Sequence, residues 1–373
     1  MPDPVRTLAR LFRWGAWLPS NSPAVEVSYG PETEVAVRFQ ALLESESLRA
    51  PGRNEEELRA RLLPAAKRFI HEERGRIEAS HRGGAGGLEV VARLADLVDA
   101  VVCQFFRLAE GGVPGPLKAE TEGCAVVALG GYGRRELNPA SDVDLMILYP
   151  RHVDAYVTAI LNQVLYVLWD LGFSVGHSCR SLADAVQMMD QDITTRTSML
   201  EARFLAGTPQ VFLDLHHQTW RNLQGRRALE YIEGKTREQA QRHKKYGGSI
   251  FLQEPNVKEG PGGLRDFHTA IWVARARHHL EDLKALVRLG LLSPVELAQC
   301  LHAVDSLLRV RSELHYLHAG KSDILSLSVQ VPVAANLGFR DDTTYGVERF
   351  MQQYYTWAAT VHRFSRYTAQ RLT

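Results

Sequence analysis

Two aspartates, Asp142 and Asp144, stand one residue apart in the stretch GGYGRRELNPASDVDLMIL. Alternate residues of a β-strand face the same side, so a strand here points both carboxylates together while Val143 and Leu145 enter the core. Two carboxylates this close repel each other unless a cation lies between them. Magnesium prefers one or two carboxylates together with phosphate oxygens and water, as in phosphoryl-transfer sites. The pair therefore predicts a Mg2+ site in which Asp142 and Asp144 are the metal ligands and the catalytic residues.

A glycine-rich turn precedes the aspartates and supplies the other half of this site. Gly130, Gly131 and Gly133 let backbone amides approach a phosphate group closely, and a short helix after them would aim its N-terminus at the same place. Alone, each motif is more often a turn or a solvated strand end than a functional site. Strand, glycine turn, short helix and D-x-D strand follow one another in the order that a metal-bound triphosphate needs, so together they predict such a site.

The elements around these residues predict an α+β fold. CAVVALGG, VDLMILY and FSVGHSC have the length and composition of short strands, and VDAYVTAILNQVLYVLWDLG predicts a helix that stops at Gly172. LEVVARLADLVDAVVCQFFRLA predicts a helix before them. Helical periodicity dominates beyond residue 180, in TSMLEARFLAG, LEYIEGKTREQAQRHKKYGG, LRDFHTAIWVARARHHL, PVELAQCLHAVDSLLRVRSELHYLH and VERFMQQYYTWAATVHRFSRYTAQRL. We predict an N-terminal helical region over 1–115, a small αβ domain over 116–205, and a helical domain over 206–373 that binds substrate or nucleotide.

Composition narrows the classes of partner. The chain has 373 residues and a formal charge of +1, so no overall field favours nucleic acid or an anionic membrane, and any anion site must be local. Four cysteines are scattered without a C-x-x-C pair, which argues against a zinc site or a disulfide framework and favours a cytoplasmic location. The N-terminal stretch RTLARLFRWGAWLP reads as an amphipathic segment, and no run approaches the roughly 20 apolar residues that span a bilayer.

A second loop, EPNVKEGPGGLRD, carries Lys258 and Arg265 and leads into a helix with Asp266 in its first turn. Two cations beside a helix start could contact a triphosphate, a base or a protein substrate. The simpler interpretation is a charged surface loop in which Asp266 helps the helix begin, because a negative charge is favourable there.

These stretches resemble a known family. GGYGRRELNPASDVDLMIL is similar to the nucleotidyltransferase motif of the polymerase-β-like superfamily, and specifically to that of the bacterial PII uridylyltransferase/uridylyl-removing enzymes. VGHSCRSLADA with TSMLEARFLAG, QEPNVKEGPGGLRDFHTAIWVAR and VERFMQQYYTWA extend the resemblance from about residue 120 to near the C-terminus. EPNVKEGPGGLRD is its most specific part.

The resemblance implies transfer of UMP from UTP to a tyrosine of the nitrogen-signalling protein PII, with release of pyrophosphate. It implies that Asp142 and Asp144 bind magnesium, and that Gly130, Gly131 and Ser141 line the triphosphate. Arg134 or Arg135 would neutralise phosphate charge, and Lys258 and Arg265 would take part in nucleotide binding.

The chain departs from the family pattern in three ways. Relatives in the superfamily often carry a third acid on a neighbouring strand, but FSVGHSC has none, so Asp192 or Glu201 would have to substitute. Arg135 stands where the family commonly has glycine, and we expect a backbone with φ < 0 there. The sequence has no adjacent His–Asp pair, so we expect either a fragment or a short form without the phosphohydrolase and ACT domains of the full-length relatives.

Two alternatives stay open. One keeps the fold and the metal but changes the nucleotide, for example to ATP, or the acceptor. The other is a regulatory module that binds nucleotide or PII without turnover. The sequence does not indicate the base, because base selection depends on pocket shape and polar contacts that residue spacing does not reveal. It does not indicate the oligomeric state either.

Overall fold

A computed structural model of the chain describes residues 33–48, 55–280, 282–342 and 344–372. The predicted amphipathic segment RTLARLFRWGAWLP lies outside the described residues. The strands are β1 (Ala125–Ala128), β2 (Val143–Tyr149), β3 (Val175–Ser181) and β4 (Arg203–Gly207).

Fifteen helices surround these strands within the described ranges. Those before or within the sheet region are α1 (Glu34–Leu48), α2 (Glu55–Arg82), α3 (Gly87–Gly112), α4 (Gly115–Glu120), α5 (Gly130–Gly133), α6 (Ala155–Asp170), α7 (Leu182–Gln191) and α8 (Ile193–Leu200). Those after it are α9 (Pro209–Asn222), α10 (Gly225–Lys245), α11 (Leu264–His278), α12 (Lys284–Arg288), α13 (Pro294–His318), α14 (Leu327–Asn336) and α15 (Gly346–Leu372). The predicted α+β fold class is confirmed.

The four strands form one mixed sheet in the order β3-β2-β1-β4. Strand β1 is antiparallel to β2 and β4, whereas β2 and β3 are parallel. Because Ala128 pairs with Leu145, the end of β1 lies beside the start of β2. The glycine turn after β1 and the aspartates that open β2 therefore meet at one edge of the sheet.

Side chains of the sheet alternate between two cores, as the strand period requires. Val126 and Leu145 are buried in a core with α1, α2, α3 and α6. Val127 and Met146 are buried on the opposite face, in a core with α7, α8 and α9. The sheet is therefore covered on both faces, and its edge at Asp144 lies toward the remaining helices.

The helical prediction for TSMLEARFLAG is wrong in its second half. Helix α8 ends at Leu200, and Arg203–Gly207 forms strand β4 against β1. The stretch is too short for its periodicity to distinguish a helix from a buried strand. Pairing with β1, which is distant in sequence, decides its conformation.

The C-terminal helices build a third core around α11. Nearly all of α11 is buried, and it packs against α10 and α15. Helix α13 packs against α15 and also against α3, so it connects the helical half to the helices behind the sheet. The helices predicted for these stretches are confirmed.

Two further observations concern the chain as a whole. No helix of the described ranges is long and apolar enough to cross a membrane. The four cysteines are free thiols. The division into regions 1–115, 116–205 and 206–373 stays a prediction.

Candidate active site

A cleft of about 510 Å³ lies between the aspartate edge of the sheet and the helices, a volume in the range of small-molecule sites. We call residues 130–144 of its lining the sheet wall. Its lining from residues 194–201, 235–272 and 311–323 is the helical wall. All eight site residues predicted from the sequence line this cleft, namely Gly130, Gly131, Arg134, Ser141, Asp142, Asp144, Lys258 and Arg265.

Strand β2 directs the two aspartates into the cleft. Val143 and Leu145 are each 2% exposed in the core, as predicted, so the aspartates between and beside them face the other way. Burial raises the pKa of Asp144, and the charge of Asp142 raises it further. A divalent cation would relieve that repulsion, so the donor set fits a magnesium ion.

Asp142 already has a cationic partner. Lys321 Nζ donates to Asp142 Oδ2 at 2.5 Å, and Ser174 Oγ donates to Oδ1 at 2.6 Å. These two hydrogen bonds hold the pKa of Asp142 below its usual range. The Lys321 ammonium group thus already lies against this carboxylate, which is a second indication that the site accepts a cation.

Glycines make the room that Asp144 occupies. A Cβ on Gly176, the residue paired with Asp144 on β3, would lie 2.5 Å from Asp144 Oδ1. A Cβ on Gly130 would lie 3.1 Å from Asp144 Oδ2, and Gly130 has a φ of +54°. Any larger side chain at either position would push the carboxylate aside. This also explains why β3 offers no third acid opposite Asp144.

The glycine turn itself forms the short helix α5, rather than preceding one. A Cβ on Gly133 would come within 2.3 Å of the Glu201 carbonyl oxygen, so this position requires glycine for close approach. The expectation for Arg135 is wrong: its φ is +60°. Glycine tolerates that conformation best, while here the Arg135 guanidinium pairs with Asp96, and this ion pair from α3 holds the arginine in place.

Arg134 joins the two walls. Its side chain is 10% exposed, and it donates to Glu136 Oε2 at 3.0 Å and to Glu201 Oε1 at 2.6 Å. Glu201 also accepts from Trp272 Nε1. Burial alone would raise the pKa of Glu136, but the charges of His268 and Arg134 lower it to about 2. The guanidinium therefore already neutralises two buried carboxylates at the cleft.

Neither substitute for the third acid is available in the way the sequence suggested. Glu201 lines the cleft but is held by Arg134 and Trp272. Asp192 is not among the residues that line the cleft; it caps helix α8 by accepting from the backbone of Thr194 and Thr195.

The EPNVKEGPGGLRD loop brings its cations to the helical wall. Asn256 Oδ1 accepts from the backbone of Lys258 at 3.0 Å and Glu259 at 2.7 Å, which fixes the turn. Glu259 Oε1 lies 3.2 Å from Arg265 Nη2 and 3.8 Å from Lys258 Nζ. Burial and the charge of Arg311 lower the pKa of Lys258. These contacts fix the conformation of the loop and hold its two cationic side chains at the cleft.

Asp266 does more than begin a helix. It is 0% exposed and accepts from Gln239, Arg242 and His243 of α10 and from the backbone of Gly262. Burial opposes ionisation, but the hydrogen bond from His243, the nearby His362 and the charge of Arg242 hold its pKa far below the ordinary value. Asp266 therefore locks the loop onto α10.

His243, Asp266 and His362 also lie close enough to share a metal ion. The oxygens of Asp266 already accept hydrogen bonds from four residues, one of them the cationic Arg242. We therefore interpret this cluster as a structural connection between α10, α11 and α15.

Sequence reasoning missed part of the helical wall. Lys321 and Asp323 follow α13 and line the cleft together with Arg311, whose Nε donates to Asp323 Oδ1 at 2.7 Å. Lys235 and Glu238 of α10 form another such pair at 2.7 Å. Nothing in the local sequence distinguishes these residues from ordinary charged helix ends, because their function depends on what they face.

Two family models match the chain on either side of the cleft. The GlnD PII-uridylyltransferase model matches residues 230–369, which hold most of the helical wall. The glutamate-ammonia ligase adenylyltransferase model matches residues 38–166, which hold the sheet wall. Both descriptions name enzymes that transfer a nucleotidyl group.

Curated relatives match longer stretches. A bifunctional uridylyltransferase/uridylyl-removing enzyme of Cereibacter sphaeroides is 40% identical over 274 residues, which is 73% of this chain and 30% of that protein. The protein of the same name from Rhodospirillum rubrum is 36% identical over 324 residues, 86% of this chain and 35% of the relative. That of Azospirillum brasilense is 35% identical over 313 residues, 83% of this chain and 34% of the relative.

The chain thus spans about a third of the length of the curated relatives it matches. Those matches cover most of its own residues, and the two family models together include the sheet wall and the part of the helical wall from residue 235 onward. The chain therefore belongs to the family of bifunctional uridylyltransferase/uridylyl-removing enzymes, which are nucleotidyltransferases.

Proposed function

We propose that this chain transfers UMP from UTP to a tyrosine hydroxyl of the PII nitrogen-regulatory protein, with Mg2+ bound and pyrophosphate released. The observation that carries the proposal is the convergence of a strand-borne carboxylate pair, a glycine turn and a cationic loop on one cleft. The printed name of the relatives supports uridylyl transfer. A cytoplasmic location fits this reaction and is part of the proposal.

Asp142 and Asp144 would hold the metal ion. Among the described carboxylates of the cleft, Asp144 is the one for which no ion pair is observed, whereas Glu136, Glu201, Glu238, Glu259, Asp323 and Asp142 each face a cationic side chain. A half-buried carboxylate with a raised pKa is a strong site for an added cation. Magnesium bound there would polarise the phosphoryl group and stabilise charge on the oxygens of the displacement.

The triphosphate would lie between the two walls. Backbone amides of Gly130 and Gly131 would approach it from the sheet side, with Ser141 beside them, and Lys258 and Arg265 would face it from the loop. A phosphoryl-transfer site works mainly by positioning and by neutralising charge, which this arrangement supplies. Arg134 lines the same cleft, and its contact with phosphate stays a prediction because Glu136 and Glu201 already pair with it.

Removal of the acceptor proton depends, in this proposal, on the metal ion that Asp142 and Asp144 would hold. A tyrosine hydroxyl has a pKa near 10, so it needs help to attack at neutral pH. The other described carboxylates that line the cleft are paired with cations, which makes them poor proton acceptors. Asp142 pairs with Lys321, and both aspartates would hold the metal ion, so we assign none of these carboxylates as the base; the Mg2+ ion that they would hold would favour loss of the hydroxyl proton.

One observation favours a second candidate. The adenylyltransferase family model covers the sheet wall. The second candidate is therefore transfer of AMP from ATP to a different acceptor. The same geometry also suits a module that binds nucleotide or PII without turnover.

The test is incubation of the purified chain with Mg2+, PII and each labelled nucleoside triphosphate in turn. We expect label from UTP on PII, and none with an Asp142→Asn/Asp144→Asn variant. Asp192→Asn is the matched control, because Asp192 is outside the cleft lining and asparagine caps a helix as well as aspartate does. Label from ATP would overturn the choice of nucleotide. Binding of triphosphate without transfer would support the interpretation that the chain is a non-catalytic binding module.

A further inference from the structure

The ion pair between Lys321 and Asp142 links the two walls directly. Lys321 follows the end of α13, where Ala319 has a left-handed backbone with φ of +47° that turns the chain back toward the sheet. Its ammonium group reaches Asp142 Oδ2 at 2.5 Å across 179 residues of sequence. Its side chain is 58% exposed, so it can leave this partner without disturbing the core.

The other cations of the cleft have partners of their own. Arg311 pairs with Asp323, Lys235 pairs with Glu238, and Arg265 pairs with Glu259. Within the described part of the chain, Lys321 is the cation of the cleft whose acidic partner is one of the two aspartates. It therefore occupies the position on Asp142 that a metal ion would need.

Two positive groups cannot share one carboxylate oxygen without repulsion. In the free protein, a divalent cation at the aspartate pair must displace the ammonium group. A nucleoside triphosphate changes this balance, because its phosphates offer the ammonium group a new anionic partner within the same cleft.

We propose that Lys321 is an exchangeable counter-ion of Asp142: it holds the metal position in the free protein and moves to the triphosphate when the nucleotide enters. The divalent cation then binds together with the nucleotide rather than before it. This inference rests on the proposed function, since it takes the aspartate pair as the metal site and a triphosphate as the ligand.

The first experiment measures Mn2+ binding without nucleotide, from the signal of free Mn2+ in electron paramagnetic resonance. We expect Lys321→Met to bind Mn2+ about twofold to fivefold more tightly than wild type, as for the loss of one partly exposed competing charge. Lys244→Met, which removes an exposed lysine outside the cleft lining, should match wild type. The Asp142→Asn/Asp144→Asn variant should not bind at this site.

The second experiment measures binding of labelled UTP with Mg2+ and without PII. Lys321→Met should bind UTP more weakly than wild type, while Lys321→Arg, which keeps the charge, should restore most of the affinity. Thermal melting of each variant verifies that it is folded.

Unchanged Mn2+ affinity in folded Lys321→Met would overturn the counter-ion proposal, whatever the transfer assay shows. If Lys321→Met binds Mn2+ more tightly while wild type labels no PII, the counter-ion stands and the proposed acceptor reaction fails. If Lys321→Met gains Mn2+ affinity but binds UTP as wild type does, the movement of Lys321 to the triphosphate is wrong.

Discussion

The sheet wall and the helical wall face the same cleft but are assembled differently. The sheet wall comes from 15 consecutive residues, in which a turn of glycines and the alternation of one strand place the aspartates. The helical wall comes from separate segments, in which partly buried ion pairs place the cations. Backbone geometry thus shapes one side, and long-range electrostatics shapes the other.

This difference teaches where each wall is vulnerable. A change in the sheet wall alters the position of a carboxylate by an ångström or so without removing much of the core, so we expect it to lower activity more than stability. A change in the network behind the helical wall leaves a buried charge without its partner, so we expect it to lower stability first.

Asp266→Asn should produce the largest effect. It removes the negative charge that faces Arg242 and His243, and leaves Arg242, whose side chain is 9% exposed, with the more distant Glu259 at 3.8 Å as its remaining ion-pair partner. We expect a loss of about 3–5 kcal/mol in the free energy of unfolding, measured by urea denaturation. Asp282→Asn is the matched control, because it replaces a half-exposed aspartate near α12 whose partner Arg288 is also exposed, and it should change stability by less than about 0.5 kcal/mol. Equal losses in both variants would contradict the importance of the buried network.

Acid should weaken the contact between the walls at Glu136. Its pKa is about 2 in the folded chain and near 4.5 when exposed, so the unfolded chain binds more protons between those values. Stability from this group is present above about pH 4.5 and is lost as pH falls through 2, by about 3 kcal/mol in all. Unfolding measured against pH should show a shallower acid decline in Glu136→Gln than in wild type. Parallel curves would show that Glu136 is not a source of acid sensitivity.

Gly176→Ala should lower activity while leaving stability nearly unchanged, which is the opposite of the effect expected for Asp266→Asn. The added methyl group would meet Asp144 Oδ1 at 2.5 Å and force the carboxylate out of place. We expect nucleotidyl transfer to fall about tenfold to a hundredfold, with a melting temperature close to wild type. Gly111→Ala, where nothing lies within 4 Å of the new Cβ, is the control. A stable variant with full activity would show that the glycine is not needed to seat the aspartate.

Arg135→Gly should have the smallest effect. Glycine relieves the left-handed backbone at φ +60°, which costs a non-glycine residue about 1 kcal/mol or more, while loss of the ion pair with Asp96 acts in the opposite direction. The free energy of unfolding should change by less than about 1 kcal/mol, and transfer activity should be unchanged. A large loss of activity would instead indicate that the Arg135 side chain takes part in the nucleotide site.

The sequence predicted the sheet wall more fully than the helical wall. Strand alternation around Asp144 was correct because it depends on immediate neighbours, and EPNVKEGPGGLRD was recognised as a special loop from its glycines and cations. The prediction of a negative φ at Arg135 was wrong because its ion-pair partner, Asp96, lies far away in sequence on α3. Strand β4 was missed because its ladder with β1 is a tertiary contact.

The sequence alone determined that a glycine turn leads to a strand that turns Asp142 and Asp144 away from the core, since residue type, strand period and glycine content act over a few positions. The tertiary structure decided which charges stay available. Arg134 forms an ion pair with Glu201, 67 residues away in the sequence, and Lys321 forms one with Asp142, 179 residues away. Electrostatic pairing depends on distance in space and on burial, and neither can be read from spacing along the chain.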